Sequence, residues 1–492
     1  MRTLHWFRVD LRTHDNSGLY HAALAGGGKG GRGVVGLFVV TPGEWGEHDE
    51  SPAKIELMLR TLGVLKESLA RLNIPLLVRT SADFRATPGV VAQVAREVGA
   101  EGVYANRQYE VNEVKRDEQV EVCLRAQGGR LHLYHDQAAL EPGEVRTGDG
   151  GAYTVFTPFK KKWVSTVLER GGIGGPGAAC GVTVWPVPGK QAPTGINSDD
   201  VPASVAGFVS GVDAGLWPAG EEYALGRLRG FLDQRVRGYK DDRNTPGVEG
   251  TSRLSPYLAI GALSARECLR LASQANGGSL DGGQAGCASW ISEVLWREFY
   301  KHLLWAFPRL SRGRAFKPAT ERIVWSDNRA HLHAWQQGLT GFPIVDAGCR
   351  QLLKTGWMHN RLRMVTAMFL SKDLFIDWRE GERHFMRHLV DGDLSQNNGG
   401  WQWAASTGTD AAPYFRIFNP ALQSAKFDPD GSFIKEFVPE LRGVPAEFIH
   451  EPQSAPMQVL AKLDYPAPII DRAESKERVL AAFRGVGDIS AG

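Results

Sequence analysis

The sequence predicts an N-terminal α/β domain, built on a doubly wound parallel five-stranded sheet, joined by a long linker to an all-α domain. Three observations predict it. Short apolar runs alternate with amphipathic stretches over 1–135; Gly and Pro crowd 136–220; from 221 to 492 strand signals give way to helical periodicity. At 492 residues the chain also exceeds one ordinary core.

In order, Thr3–Phe7, Val34–Val40, Ile74–Val78, Gly102–Ala105 and Leu131–Tyr134 read as short buried strands. Pro52–Leu72, Val90–Val98 and Asn112–Arg125 read as the helices between them. No GxGxxG stands directly after the first strand, which argues against an ordinary dinucleotide site there. Gly28-Lys29 sits in a glycine run, but Gly30 stands where a phosphate loop needs Ser or Thr, so Gly26–Gly33 reads as a surface loop. The linker is expected to be irregular. Its one distinctive patch, Phe156-Thr-Pro-Phe-Lys-Lys-Lys-Trp163, reads either as a solvated charge run or as a nucleic-acid contact. In the all-α part, Ser289–Trp305 and Gly356–Leu370 read as helices.

Composition narrows the class. Apolar content of 42% and charged content of 23% are those of a soluble globular chain. The start has no signal-peptide pattern and no apolar run is long enough to span a membrane, so a cytoplasmic location is expected. Five dispersed cysteines form no CxxC and predict reduced structural thiols and no metal site. A net charge of +2 excludes little, because nucleic-acid binding needs a local basic face.

The densest chemistry lies in Asp391-Gly-Asp-Leu-Ser-Gln-Asn-Asn-Gly-Gly-Trp-Gln-Trp403, where acids, amides, paired glycines and two indoles fall together. It reads as a wall around something flat with polar edges, and Gly399-Gly400 as a place where the backbone bends or approaches a ligand. Nine of the fourteen tryptophans lie between Trp290 and Trp403. Trp290, Glu293, Trp296 and Arg297 share a broad helix face; a buried glutamate needs a partner, so Glu293 is either a site residue or an ion-pair partner of Arg297. Asn360, Arg363 and Met364 form a second stripe, with Trp357 and Arg361 beside it. Gly250-Thr-Ser-Arg-Leu-Ser-Pro256 brings hydroxyls and backbone N–H groups to a helix start, which suits a phosphate or serves as a plain cap.

Taken together, these segments resemble the photolyase/cryptochrome family, and among it the class I bacterial photolyases of cyclobutane pyrimidine dimers. The matching runs are Trp6-Phe-Arg-Val-Asp-Leu-Arg12 with Asp15-Asn16, Glu249–Ser255, Trp296–Tyr300, Gly356–Arg363, Asp391–Trp403, Thr407–Asp410 and Ile417–Pro420. They span nearly the whole chain and are weakest in the linker and after Pro452.

The resemblance implies that the all-α domain binds FAD non-covalently and is active with it reduced. Thr251, Ser252, Arg253, Leu254 and Ser255 would grip its phosphates, helped by Tyr239; Trp290, Arg297, Asn360, Arg363, Asp391, Gly392 and Asp393 would contact it, with Asn397 at N5. It implies DNA carrying pyrimidine dimers as substrate, single- or double-stranded, with the dimer flipped out onto Trp296 and Trp403. Glu293, Asn360 and Met364 would contact its bases, and Arg243, Arg361, Arg416, Gln423 and Lys426 the strand. Glu293 would stabilise charge on the dimer, and Trp401, Trp378 and Trp325 would relay electrons to the flavin. His48, Asn112 and Glu113 would hold a folate-type antenna, 5,10-methenyltetrahydrofolate, although Ser311-Arg312 departs from the usual Cys-Lys and leaves a deazaflavin open. The implied enzyme is a monomeric DNA photolyase, the alternative a blue-light cryptochrome without repair. A (6-4) repair enzyme would need two histidines where Asn360 and Met364 stand.

Overall fold

The computed structural model describes residues 1–27, 30–174, 182–461 and 463–486. They form two compact units interleaved in sequence: 1–237 with 252–311 and 390–395, and 238–251 with 312–389 and 396–492.

The first unit is built on a parallel sheet of β1 (Thr3–Phe7), β2 (Val34–Val40), β3 (Leu76–Thr80), β4 (Gly102–Asn106) and β5 (Leu131–Tyr134), in the order β3-β2-β1-β4-β5. Every residue of β1, β2 and β4 is buried, which explains why they read as unbroken apolar runs rather than alternating ones. Helices α1 (Ser17–Gly27), α2 (Pro52–Arg71), α3 (Thr87–Glu97) and α4 (Val111–Arg125) connect the strands. The third strand sits two residues later than expected, and α1 went unpredicted because its alanines and glycines give almost no amphipathic signal. Gly28-Lys29 lies outside the described residues.

The linker is not irregular throughout. Phe156-Thr-Pro-Phe-Lys-Lys-Lys-Trp163 opens helix α5 (Phe156–Glu169), with Phe159 and Trp163 in the core. A 3.6-residue period turns the aromatics inward while the lysines stay at the rim, so the run is helical rather than irregular. Helices α6 (Glu221–Gln234), α7 (Ala265–Ala275) and α8 (Ala285–Ala306) complete this unit. At 22 residues, α8 is about 33 Å long. The Arg12 and Asp15 of the N-terminal motif are structural: Arg12 and Arg266 share Asp136 at 2.7 Å each, and Arg266 also holds Asp15 at 2.9 Å.

The second unit is helical: α9 (Arg329–Gln337), α10 (Pro343–Thr355), α11 (Asn360–Met368), α12 (Trp378–His388), α13 (Leu394–Ala405), α14 (Pro420–Phe427) and α15 (Arg472–Gly485). The chain passes between the units within the first turn of α13. Helix α11 continues as a π-helical turn over Phe369–Asp373, so the helix expected at Gly356–Leu370 starts later and runs on. The Asp391–Trp403 segment, read as a bending wall, is mostly helix. Gly399 and Gly400 lie inside α13, and a Cβ on Gly400 would meet open space, so neither a bend nor a close approach of the chain's own atoms requires it. Helix α13 forms despite two glycines because Trp401, Ala404 and Ala405 are buried in the helical core.

Candidate functional site

In the first unit the site is organised by α8. At 100° per residue, Trp290, Arg297 and Lys301 fall within about 40° of one another, with Glu293 roughly 40–80° to one side and Trp296 about 60° beyond it. Glu293 thus stands between that stripe and Trp296. Trp290 is 4% exposed, rests against Phe231 with ring centroids 5.5 Å apart, and donates its indole N–H to Ser252 Oγ at 3.3 Å. Trp296 is stacked on Phe156 at 3.8 Å and 9°, so one face of its indole is already covered. Arg297 donates to the Gln137 carbonyl at 2.5 Å.

The burial argument that singled out Glu293 belongs to its neighbour. Glu293 is half-buried, whereas Glu298 is fully buried and accepts from the N–H groups of Ala139 and Leu140 and the indole of Trp163. Burial raises the Glu298 carboxyl and those donors oppose the rise. Glu298 is a bracket for the start of the linker, which sequence spacing gave no means to see.

Asp393 is a buried anion held by two cations. Its carboxylate lies 3.0 Å from the buried Lys301 ammonium and accepts from the Ser395 N–H and hydroxyl. Burial would raise it, but Lys301 and Arg297 outweigh that and hold Asp393 well below the usual carboxylate range. Lys301 was not anticipated, although it continues the Trp290–Arg297 stripe by one further turn. Asp391 is also buried. Arg227 donates to the Ser252 carbonyl, Arg253 takes a left-handed φ of 48°, and Leu254 is buried before a single helical turn that begins at Ser255 with Pro256 inside it. That is the expected helix start.

A second group lies at the carboxyl ends of β2 and β4. His48 is 3.4 Å from Glu113 and 3.2 Å from the Asn112 amide, so all three predicted residues meet. Two unforeseen residues join them: Arg116 reaches Glu44 at 3.3 Å. Burial, reinforced by Glu110, pushes Glu113 up to about 8 against Arg116, and burial pushes Glu44 to about 7 against the same cation. One oxygen of each carboxyl is buried with no hydrogen-bond partner among the described residues. The Val111 N–H donates to Ser311 Oγ at 3.0 Å.

In the second unit, Asn397 donates its amide N–H to the Glu382 carbonyl at 2.9 Å. Beneath it a buried chain runs from Gln402 through Asn398 to the Glu382 carboxyl, at 2.8 and 2.9 Å. Trp401 is 2% exposed, set edge-on to Phe385 at 4.9 Å and Trp335 at 5.9 Å. Its ring lies against Gly381, where a Cβ would come within 2.1 Å of it. Trp378 is fully buried beneath Arg379, and Trp325 is partly exposed against Phe375. Trp335, buried among these rings, was missed because its spacing marks it only as core. Trp403, 200° round the helix from Trp401, is partly exposed.

Elsewhere in this unit Arg243 covers the Tyr239 ring at 5.4 Å. Arg361 bonds Asn244 at 2.6 Å, lies 4.4 Å over Phe427 and approaches the Met364 sulfur at 3.6 Å, while Lys426 reaches the same Phe427 ring at 5.3 Å. Asn360 is exposed at the start of α11; the cap there is the His359 side chain. Arg363 donates to the Met358 carbonyl at 2.8 Å. Arg416 is exposed and Gln423 partly so. Among the described residues no group of His, Cys, Asp or Glu is placed to hold a metal ion, and no helix is long and apolar enough to cross a membrane.

Comparison with known proteins places these features in a family. The family model described as DNA photolyase matches residues 3–173, and that of the FAD binding domain of DNA photolyase matches 290–485. The chain is 46% identical to the deoxyribodipyrimidine photo-lyase of Escherichia coli over 479 residues, covering 97% of each, and 43% identical to that of Vibrio cholerae, covering 97% and 98%. Its fold matches a bacterial class III photolyase from Agrobacterium tumefaciens with a TM-score of 0.85 at 34% identity, covering 99% and 97% of the two chains. A Synechocystis cryptochrome matches with the same score at 26% identity, covering 98% and 99%.

Proposed function

The chain belongs to the DNA photolyase family, and from that premise we propose that it is a deoxyribodipyrimidine photo-lyase, which repairs cyclobutane pyrimidine dimers in DNA. Reduced FAD, when bound, supplies under blue light the electron that opens the dimer and takes it back afterwards.

The residues present fit that cofactor. Asp393, fixed as an anion, can only accept, which matches a ring N–H at the flavin's polar edge. Asn397 gives one amide N–H to the Glu382 carbonyl, and its second N–H and its carbonyl oxygen are left to serve N5, where the family resemblance puts it. Ser252, Arg253, Leu254 and Ser255 supply the turn and helix start that suit the phosphates. We assign Tyr239, Thr251, Trp290, Arg297, Asn360, Arg363, Asp391 and Gly392 to the same cofactor by family resemblance.

One observation carries the reading: α8 bears the flavin stripe and Trp296 on adjoining faces, with Glu293 between them. Glu293 can therefore reach a dimer stacked on Trp296 and stabilise the negative charge that develops on it. Trp403, Asn360 and Met364 complete the dimer contacts; Arg243, Arg361, Arg416, Gln423 and Lys426 hold the strand. Trp401, Trp378 and Trp325 pass electrons inward to reduce the cofactor; the order of their exposure, two buried and one partly open, supports a path that ends at the surface.

A folate antenna, which would supply light absorption, fits the group around Glu113. The unpartnered oxygens of Glu113 and Glu44 suit the amino and ring N–H groups of a pterin, and carboxyls raised by burial can donate as well as accept. We retain 1–135 as the antenna domain, 136–220 as the linker and 221–492 as the flavin domain, acting as a cytoplasmic monomer on dimers in single- or double-stranded DNA. The purified protein should show flavin and folate absorption and remove dimers from DNA only when lit. Flavin reduction without dimer loss in reduced, illuminated samples would move it to the light sensors.

A further inference from the structure

Lys372 is fully buried, yet no carboxylate of the described residues lies within ion-pair distance of its ammonium. It sits in the π-helical turn Phe369–Asp373 and donates to two backbone carbonyls, those of Pro413 at 3.3 Å and Arg416 at 2.9 Å. The Arg416 N–H also donates to the Pro413 carbonyl at 2.8 Å and closes a turn over Pro413–Arg416. Tyr414 anchors the turn by stacking on Phe483 of α15, at 5.7 Å and 8°. Phe415, 65% exposed, and the exposed Arg416 are thereby displayed side by side. Burying an ammonium is costly, and an apolar chain of the same length would fill this space more cheaply. What the ammonium adds is a pair of charge-assisted hydrogen bonds under both ends of one turn.

We propose that Lys372 is a positioning residue for DNA binding, bracing the turn Pro413–Arg416 from beneath so that Phe415 and Arg416 meet the strand in a fixed geometry. The proposal rests on the reading of Arg416 as a strand contact. An aromatic face beside a cation suits a nucleic-acid strand, which offers both bases and phosphates. The charged groups about Lys372 are Asp373 on its own turn, Arg416 on the braced turn, and Arg472 and Arg478 of α15. Arg472 takes the Asp373 carboxylate at 2.9 Å and Arg478 the Asp373 carbonyl at 3.0 Å. Burial lowers Lys372 to about 7, opposed by Asp373 and assisted by Arg416. The brace is therefore charged below pH 7 and weakens above it. Global stability moves the other way: the unfolded chain keeps this proton up to about 10.5, so this group favours the fold more as pH rises from 7 to 10.5.

The test measures binding of dimer-containing duplex in the dark by the flavin-loaded protein. Lys372→Met should raise Kd about tenfold, the worth of one hydrogen bond to a charged group, while repair at saturating DNA keeps its yield. Wild-type affinity should fall from pH 6 to 8.5 and that of Lys372→Met should not. Lys372→Met added to the Phe415→Ala, Arg416→Ala variant should bind no more weakly than that variant alone. Wild-type affinity in Lys372→Met, or a further loss when it is added to that variant, would overturn the proposal. Should Lys372→Met lose flavin, Lys372→Gln takes its place with the same two outcomes. If Arg416→Ala alone binds normally, the strand-contact reading fails, and exchange of the Arg416 amide in DNA-free protein decides the brace: faster in the Lys372 variant supports it, unchanged overturns it.

Discussion

Asp393 and Glu113 are carboxyls withdrawn from water in the same unit, and they reach opposite charge states. Asp393 touches Lys301 at 3.0 Å, feels Arg297, and is held well below the usual range. Glu113 has Arg116 near it, but Arg116 is already engaged by Asp117 at 3.0 Å and Glu44 at 3.3 Å, and Glu110 adds like charge. Burial pushes both carboxyls upward; the balance of cations and like charges around each decides which one ionises. The group around Asp393 is therefore built on a permanent anion, the group around Glu113 on acids able to donate a proton in a hydrogen bond.

Breaking this contrast should have its largest effect at Lys301. Lys301→Met would leave Asp393 buried without its main cation and cost about 3–5 kcal/mol, read from denaturant unfolding and flavin retention; adding Asp393→Asn should recover part of the loss. If Lys301→Met were as stable as the wild type, Asp393 would not depend on that ammonium.

Next comes pH. Glu113 keeps its proton in the folded protein up to about 8, whereas an unfolded glutamate loses it near 4.5. Its contribution to stability is thus full below 4.5 and lost as pH rises toward 8. Glu113→Gln should flatten the pH dependence of unfolding between 5 and 8, and an unaltered profile would argue that Glu113 is ionised.

Glu293, unlike either of these carboxyls, is only half-buried on α8. Glu293→Gln should leave flavin bound and lower repair yield by up to about tenfold, the scale of one hydrogen bond to a developing charge; normal yield would remove it from the chemistry. The smallest change belongs to a partly buried cation, Arg361. Arg361→Ala should weaken DNA binding modestly and reduce the salt slope by about 1, and an unchanged slope would mean it touches no phosphate.

Much of this was legible in the sequence because it is local. Five strands and three of their helices follow from apolar spacing, with small shifts at β3 and α3. His48, Asn112 and Glu113 were named together from motifs and do meet. What was misjudged depends on burial. Glu293 was credited with the cost that Glu298 bears, five residues along the same helix. The linker's aromatic-basic patch became a helix because α8 was there to cover Phe156 and Trp163. Gly399-Gly400 suggest a bend or a close approach to a bound group, and of these the core around Trp401 excludes the bend by imposing a helix.

By itself, then, the sequence determined the fold class, the order of elements and the family, since these rest on periodicity and on motifs carried along the chain. Only the tertiary structure decided which carboxyls are charged, that Lys301 and Glu44 belong to the two groups, and that Lys372 lies beneath an exposed turn. Those facts hang on how many charges and donors converge from distant segments into space closed to water, and no spacing along the chain encodes that number.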